Sequence, residues 1–211
     1  MKLAHEGNRI IFTLLFIIAI LIFLVINNKM PTVIPIIFSL VLLFCINFFR
    51  DPKRSIPIGG NHIISPADGK IISIETIHNH DLGKVHLISI FLNIFNVHVN
   101  RMPYTGKFSQ INYKKGRFLM AFDHKASDLN ERNEIIIESN LGKIKIIQIA
   151  GLIARRIICY AKKDKTMEIG GRLGFMLFGS RVDLILPINV HLKVRLGQKV
   201  MGNKTIIATF D

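Results

Sequence analysis

Serine directly after glycine gains chemical interest when a strand follows it, and Phe178-Gly179-Ser180-Arg181-Val182-Asp183-Leu184-Ile185-Leu186-Pro187 has that form. The alternation of Val182, Leu184 and Leu186 reads as a half-buried strand. Gly179 opens backbone conformations closed to residues with a Cβ, so the Ser180 hydroxyl can reach the carbonyl just before it. The same dipeptide is also ordinary loop punctuation. Three more polar clusters carry useful groups. In Ser65-Pro66-Ala67-Asp68-Gly69, Asp68 stands at the mouth of a strand, either as an Asx-turn acceptor or as a working carboxylate. In Asn96-Val97-His98-Val99-Asn100-Arg101-Met102-Pro103, His98 follows an apolar strand, in a place that suits acid–base work as well as a structural histidine. Arg155-Arg156 near Lys162-Lys163 reads as a solvated basic face or as a phosphate contact.

The elements that must position these groups are strands. From Asp51 onward Gly, Pro, Asn and Asp punctuate short Ile- and Val-rich runs, which predicts a mainly β domain over 51–211 with barrel or sandwich character. Strands are expected at 69–75, 84–92, 108–113, 134–139, 143–150, 154–161, 182–186, 191–194 and 205–210, with one short helix inside 164–178. Asn140-Leu141-Gly142 between two Ile-rich strands is a hairpin signal, because Gly supplies positive φ. Residues 1–50 read as a hydrophobic helical hairpin. Residues 10–26 carry no charge, which at 1.5 Å per residue is just enough to span a bilayer core, and residues 30–49 supply a second apolar run of spanning length, so the hairpin either spans or lies shallow as a re-entrant wedge. Pro31 and Pro35 crowd the start of that second run, where proline is tolerated. Basic residues flank both outer ends, Lys2 and Arg9 before, Arg50, Lys53 and Arg54 after, which puts the soluble domain on the cytoplasmic side of the cell membrane. No small-residue cleavage site follows Ile26, which argues against a removed signal peptide.

Lys and Arg outnumber Asp and Glu 28 to 14 in the 211 residues, a balance that favours an anionic partner. The aromatic residues concentrate in the apolar hairpin, so no stacking platform for nucleic acid is visible. Two cysteines, Cys45 and Cys159, make neither a disulfide framework nor a thiolate zinc site, and no metal is expected. Residues 194–207 resemble the turn-rich sheet of lipoyl- and biotinyl-carrier domains, yet no modifiable lysine stands at a symmetric hairpin tip.

Taken together, Ser65-Pro66-Ala67-Asp68-Gly69-Lys70, the 96–103 cluster, Ala150-Gly151-Leu152-Ile153-Ala154-Arg155-Arg156-Ile157 and Phe178-Gly179-Ser180-Arg181 resemble the short, membrane-associated form of the phosphatidylserine decarboxylase family. The resemblance implies a proenzyme that cuts itself between Gly179 and Ser180 into a large chain, 1–179, and a small chain, 180–211, which stay together as a heterodimer. It implies that Ser180 becomes a covalent pyruvoyl cofactor and that phosphatidylserine in an anionic membrane is decarboxylated through a Schiff base to phosphatidylethanolamine. Asp68 matches the family's processing aspartate. The larger members carry two histidines, three apart, just before Met-Pro; here His98 fills the first place, linked to decarboxylation, and Arg101 the second. The self-cleavage base is therefore open between His98 and Asp68. An archaetidylserine-type substrate would use the same residues. The competing function, from another class, is a non-catalytic, membrane-tethered basic β module that binds anionic lipid.

Overall fold

In the computed structural model, which describes residues 2–79, 82–116, 130–151, 156–177 and 180–210, the chain divides into two units, Met1–Lys53 and Arg54–Asp211. In the first, β1 (Lys2–Leu3) leads through a 3-10 turn, His5–Gly7, into α1 (Asn8–Ile26), then α2 (Val33–Phe48) and β2 (Arg50–Asp51). β1 and β2 pair antiparallel, Lys2 opposite Asp51, so the two ends of the hairpin are tied together. Gly7 sits where an added Cβ would stand 2.3 Å from the Phe49 ring, so only glycine lets Phe49 close this junction. Phe12, Phe16 and Phe23 are 65–68% exposed, an apolar surface suited to lipid rather than water.

The segment His5–Ile26 is long and apolar enough to cross a membrane. The second run falls short of the expectation. Its helix has 16 residues, about 24 Å at 1.5 Å per residue, against a hydrocarbon core of about 30 Å. The reason lies at its start: residues 30–32 belong to the bend after α1, and Pro35 is accommodated only in the first turn.

The second unit is mainly β, as expected. Its strands are β3 (His62–Ile64), β4 (Gly69–Asn79), β5 (Gly83–Leu92), β6 (Val99–Arg101), β7 (Gly106–Lys114), β8 (Arg132–Ser139), β9 (Gly142–Ile149), β10 (Ile157–Cys159), β11 (Thr166–Met167), β12 (Arg172–Met176), β13 (Ser180–Pro187), β14 (His191–Leu192), β15 (Lys199–Val200) and β16 (Ile206–Thr209). An eight-stranded sheet, in the order β11-β7-β8-β9-β13-β5-β4-β15, curls into a half-barrel. Two three-stranded sheets, β10-β12-β6 and β14-β16-β3, complete the unit. Ile88, Ile90, Ile146, Val182 and Leu184 of the large sheet pack in one core with Leu173 and Met176 of β12 and with Ile63 and Ile207 of the third sheet. Between β8 and β9 the hairpin forms as expected, with Gly142 at φ +101 closing the loop.

The other face of the large sheet carries charge. Arg181 and Asp183, two apart on the central strand, pair at 2.9 Å and are almost fully buried. Burial pushes the Asp183 carboxyl up, and Arg181 pulls it back.

Three local expectations need correction. No helix forms in the described part of 164–178: β11 and β12 lie there, separated by Gly170 at φ +78. Gly174 of β12 presses so closely on β10 that a Cβ would meet the Ile158 carbonyl at 2.2 Å, an approach a helix could not make. The strand expected over 154–161 narrows to Ile157–Cys159, with 154 and 155 outside the described residues. Within the polar stretch 96–103, for which no strand was expected, β6 forms and adds to the edge of β12.

Candidate active site

Ser180 begins the strand that lies between β5 and β9, in the interior of the large sheet. Because side chains alternate along a strand, it shares the core face with Val182, Leu184 and Leu186. It is 0% exposed, and its Oγ has no hydrogen-bond partner among the described residues. Leaving a buried hydroxyl unsatisfied costs about 1–3 kcal/mol, so such a group calls for a use. Gly179, the expected partner in cleavage, lies outside the described residues, as does Arg155.

The registers bring Asp68 to the same end of the sheet. Ser180 opposes Leu92 of β5, and Lys70 of β4 opposes Phe91, so Gly69 comes level with Leu92 one step on. With about 4.8 Å between strands, the Gly69 and Ser180 backbones stand about 10 Å apart. Asp68 is the next residue back. It is no Asx-turn acceptor. Its Oδ1 accepts from the Gly202 backbone N–H at 2.8 Å, and Arg54 grips both oxygens, Nη2 to Oδ2 at 2.8 Å and Nη1 to Oδ1. The Arg54 Nη1 also donates to the Gly202 carbonyl at 2.9 Å. Arg54 has a contact that sequence reasoning did not foresee: counted there only as a basic flank of the hairpin, it grips a carboxylate of the second unit.

His98 is 0% exposed, beside Phe175 with ring centroids 6.4 Å apart. Its backbone carbonyl accepts from Met176 N at 3.1 Å, four residues before Ser180. Its Nδ1 donates to the Asn96 carbonyl at 2.9 Å. A carbonyl can only accept, so Nδ1 carries the proton and Nε2 is the nitrogen that exchanges one. Arg101 N donates to the Pro66 carbonyl at 2.8 Å, which docks the histidine strand directly on the aspartate turn. Asp68, His98 and Ser180 are thus served by one end of the β unit. The basic pairs behave otherwise: Arg156, Lys162 and Lys163 are exposed, whereas Ser180 is fully buried.

Sequence reasoning also missed three buried amides. Asn133 Nδ2 donates to Gln148 Oε1 at 3.2 Å, and Gln148 Nε2 to Asn100 Oδ1 at 2.7 Å. One signal was available: Gln148 continues the core alternation of Ile144 and Ile146, a polar residue where the pattern asks for an apolar one.

Against known proteins, a sequence model of the family described as phosphatidylserine decarboxylase matches residues 41–208. Relatives named phosphatidylserine decarboxylase proenzyme include one from Ehrlichia ruminantium, 49% identical over 180 residues, covering 83% of this chain and 79% of that protein. Another, from Burkholderia vietnamiensis, is 46% identical over 176 residues with 82% of each chain covered. A third, from Paraburkholderia phymatum, is 47% identical over 174 residues, again with 82% of each covered.

Proposed function

The chain belongs to the phosphatidylserine decarboxylase family, and from that premise we propose that it is a self-cleaving proenzyme that converts phosphatidylserine to phosphatidylethanolamine. The observation that carries this reading is the Ser180 hydroxyl, fully buried and without a partner among the described residues, at the first position of the central strand. Ser180 Oγ adds to the Gly179 carbonyl and displaces the Ser180 nitrogen, so that an ester replaces the amide. Removal of the Ser180 α-proton then expels the Gly179 carboxylate and leaves a dehydroalanine, and water releases its nitrogen as ammonia to leave a pyruvoyl group. The site suits that product: the unsatisfied hydroxyl is lost, and what replaces it has no donor to satisfy. A pyruvoyl carbonyl, condensed with the substrate amine, supplies the electron sink for the pair released with carbon dioxide, the service given elsewhere by pyridoxal phosphate.

In this reading Asp68 acts in processing and His98 in decarboxylation. The Asn96 carbonyl fixes the His98 tautomer, and Nε2 delivers the proton that replaces the departing carboxylate. Arg54 holds Asp68 in place. The apolar core around Ser180 excludes water until the site is complete. Chains 1–179 and 180–211 remain together as a heterodimer. The hairpin brings the enzyme to the bilayer that holds its lipid, with the β unit on the cytoplasmic side; Lys2, Arg9, Arg50 and Lys53 support that orientation without Arg54.

Intact mass and a denaturing gel of the purified chain test the proposal. The expected outcome is two fragments in place of the 24.0 kDa chain, the small one 32 residues long and carrying a pyruvoyl mass at its first residue. Ser180→Ala should stay whole and inactive. Two fragments from that variant would move the cut elsewhere, and an uncut wild-type chain would favour the lipid-binding module.

A further inference from the structure

Ser180 is not the only fully buried polar group left over beside this core. Asn100 on β6 is 0% exposed, and its Nδ2 has no hydrogen-bond partner among the described residues. Its neighbours dictate which way the amide faces. Asn133 Nδ2 donates to Gln148 Oε1, and Gln148 Nε2 donates to Asn100 Oδ1, so each amide gives to the next. The carbonyl end of Asn100 is spent and its NH₂ end remains. Gly174, across from Asn100, permits this approach, since a Cβ there would stand 3.0 Å from Gln148 Nε2. A buried donor without an acceptor is costly enough that native cores rarely keep one without a use.

The registers put this donor on the Ser180 side of the large sheet. Gln148 opposes Val182, which shares the core face with Ser180. The diagonal from Gln148 to Ser180 is about 7–8 Å, and it is this Gln148 that donates to Asn100. Two residues beyond Asn100, Met102 lies in the core cluster with Val182.

We propose that Asn100 is the oxyanion donor of self-cleavage, with Gln148 and Asn133 as its positioning residues; this rests on the self-cleavage reading above. As the Ser180 Oγ–carbon bond forms, the carbonyl π pair moves onto the Gly179 oxygen and the hydroxyl proton passes to the base. The Asn100 N–H hydrogen-bonds that oxygen while it carries charge. When the pair returns, the carbon–nitrogen bond breaks and the proton goes to the Ser180 nitrogen. Asn100 changes no protonation state; it lowers the charged species relative to the amide.

Asn100→Asp isolates the claim, because it keeps the shape and the oxygen that Gln148 uses and removes the NH₂. In the full chain, refolded and followed on a denaturing gel, splitting should slow about 10²–10³-fold. Hydroxylamine, which cuts esters, should release no extra fragment from the variant, since formation of the ester is the slowed step. Gln148→Met should slow splitting less, with the same hydroxylamine pattern. Thermal midpoints close to that of uncut Ser180→Ala show that the fold is kept; if Asn100→Asp does not fold, Gln148→Met decides. Splitting at the wild-type rate in the variant that folds, or an ester that accumulates in it, overturns the proposal. A wild-type chain that never splits is a separate failure, of the self-cleavage reading itself.

Discussion

Replacing Arg54 with Met, in a Ser180→Ala chain so that the backbone stays whole, isolates the grip on Asp68. The guanidinium makes two contacts to the carboxylate and a third to the Gly202 carbonyl, with 17% and 10% of the two side chains exposed. Removing one partner of a buried ion pair costs about 3–5 kcal/mol. Here Gly202 N still donates to Asp68 and some water reaches the site, so the expected loss is about 2–3 kcal/mol. For a chain of this size each kcal/mol moves the thermal midpoint by about 2–4 °C, so the midpoint should fall by about 4–12 °C. Circular dichroism in detergent reads it, since the chain has no tryptophan. A cycle with Asp68→Asn should return a coupling of at least about 1.5 kcal/mol. Arg54→Lys should recover less than half, because an ammonium cannot reproduce the two-pronged fork. A coupling below about 0.5 kcal/mol would make this a solvent-screened pair and refute the claim that Arg54 holds Asp68.

His98→Ala should still split at Gly179-Ser180 yet turn over lipid about 10²–10⁴-fold more slowly, whereas Asp68→Asn should stay whole; loss of splitting in His98→Ala, seen on a gel, would make His98 the processing base. Glu134 gives a pH prediction. Burial alone would raise its carboxyl, but hydrogen bonds from Arg132, Lys114 and Lys145 outweigh it and bring it from 4.5 to about 2. Because the folded value is the lower one, the stabilisation is complete above pH 4.5 and fades as pH falls toward 2. Each tenfold in proton affinity is worth about 1.4 kcal/mol, and screening through the half-exposed Lys114 reduces the total to about 1–2 kcal/mol. Glu134→Gln should therefore be less acid-sensitive than its parent in urea titrations over that window, and parallel curves would count against the cluster. Deleting residues 1–49 should leave a chain that still splits but loses activity on vesicles more than on a short-chain soluble substrate; equal losses would show that the hairpin does not deliver the enzyme to lipid.

Apolar alternation made the long strands legible. Val182, Leu184 and Leu186 mark β13, and the Ile-rich runs around Asn140-Leu141-Gly142 mark β8 and β9, because a strand with one face in a core must repeat every second residue. β6, β11 and β15 were not legible, being two or three residues long and held by partners far away in sequence. Composition cannot report such pairings. The chemistry splits in the same way. Ser180, Asp68 and His98 stand out as polar residues at strand ends. Arg54 and Asn100 do not, since their meaning lies in what they touch: 14 residues separate Arg54 from Asp68 and 48 separate Asn100 from Gln148.

On the proposed reading, the position of Ser180 also explains why the chain must fold before it cuts and why the cut does not undo the fold. The hydroxyl comes into place only when β13 is seated between β5 and β9, and that pairing joins sequence segments about 90 and 30 residues apart. Self-cleavage is then a consequence of finished packing. After it, residues 180–211 still supply the central strand β13, β15 beside β4, and β16 beside β3. Gly202 still binds Asp68, a residue of the other chain. None of these pairings uses the bond between 179 and 180, so the small chain stays seated. Unfolding, however, would now release two molecules where there was one. The mature form therefore owes part of its apparent stability to concentration, whereas the uncut Ser180→Ala chain does not. Dilution at fixed temperature should lower the midpoint of the first and leave that of the second unmoved.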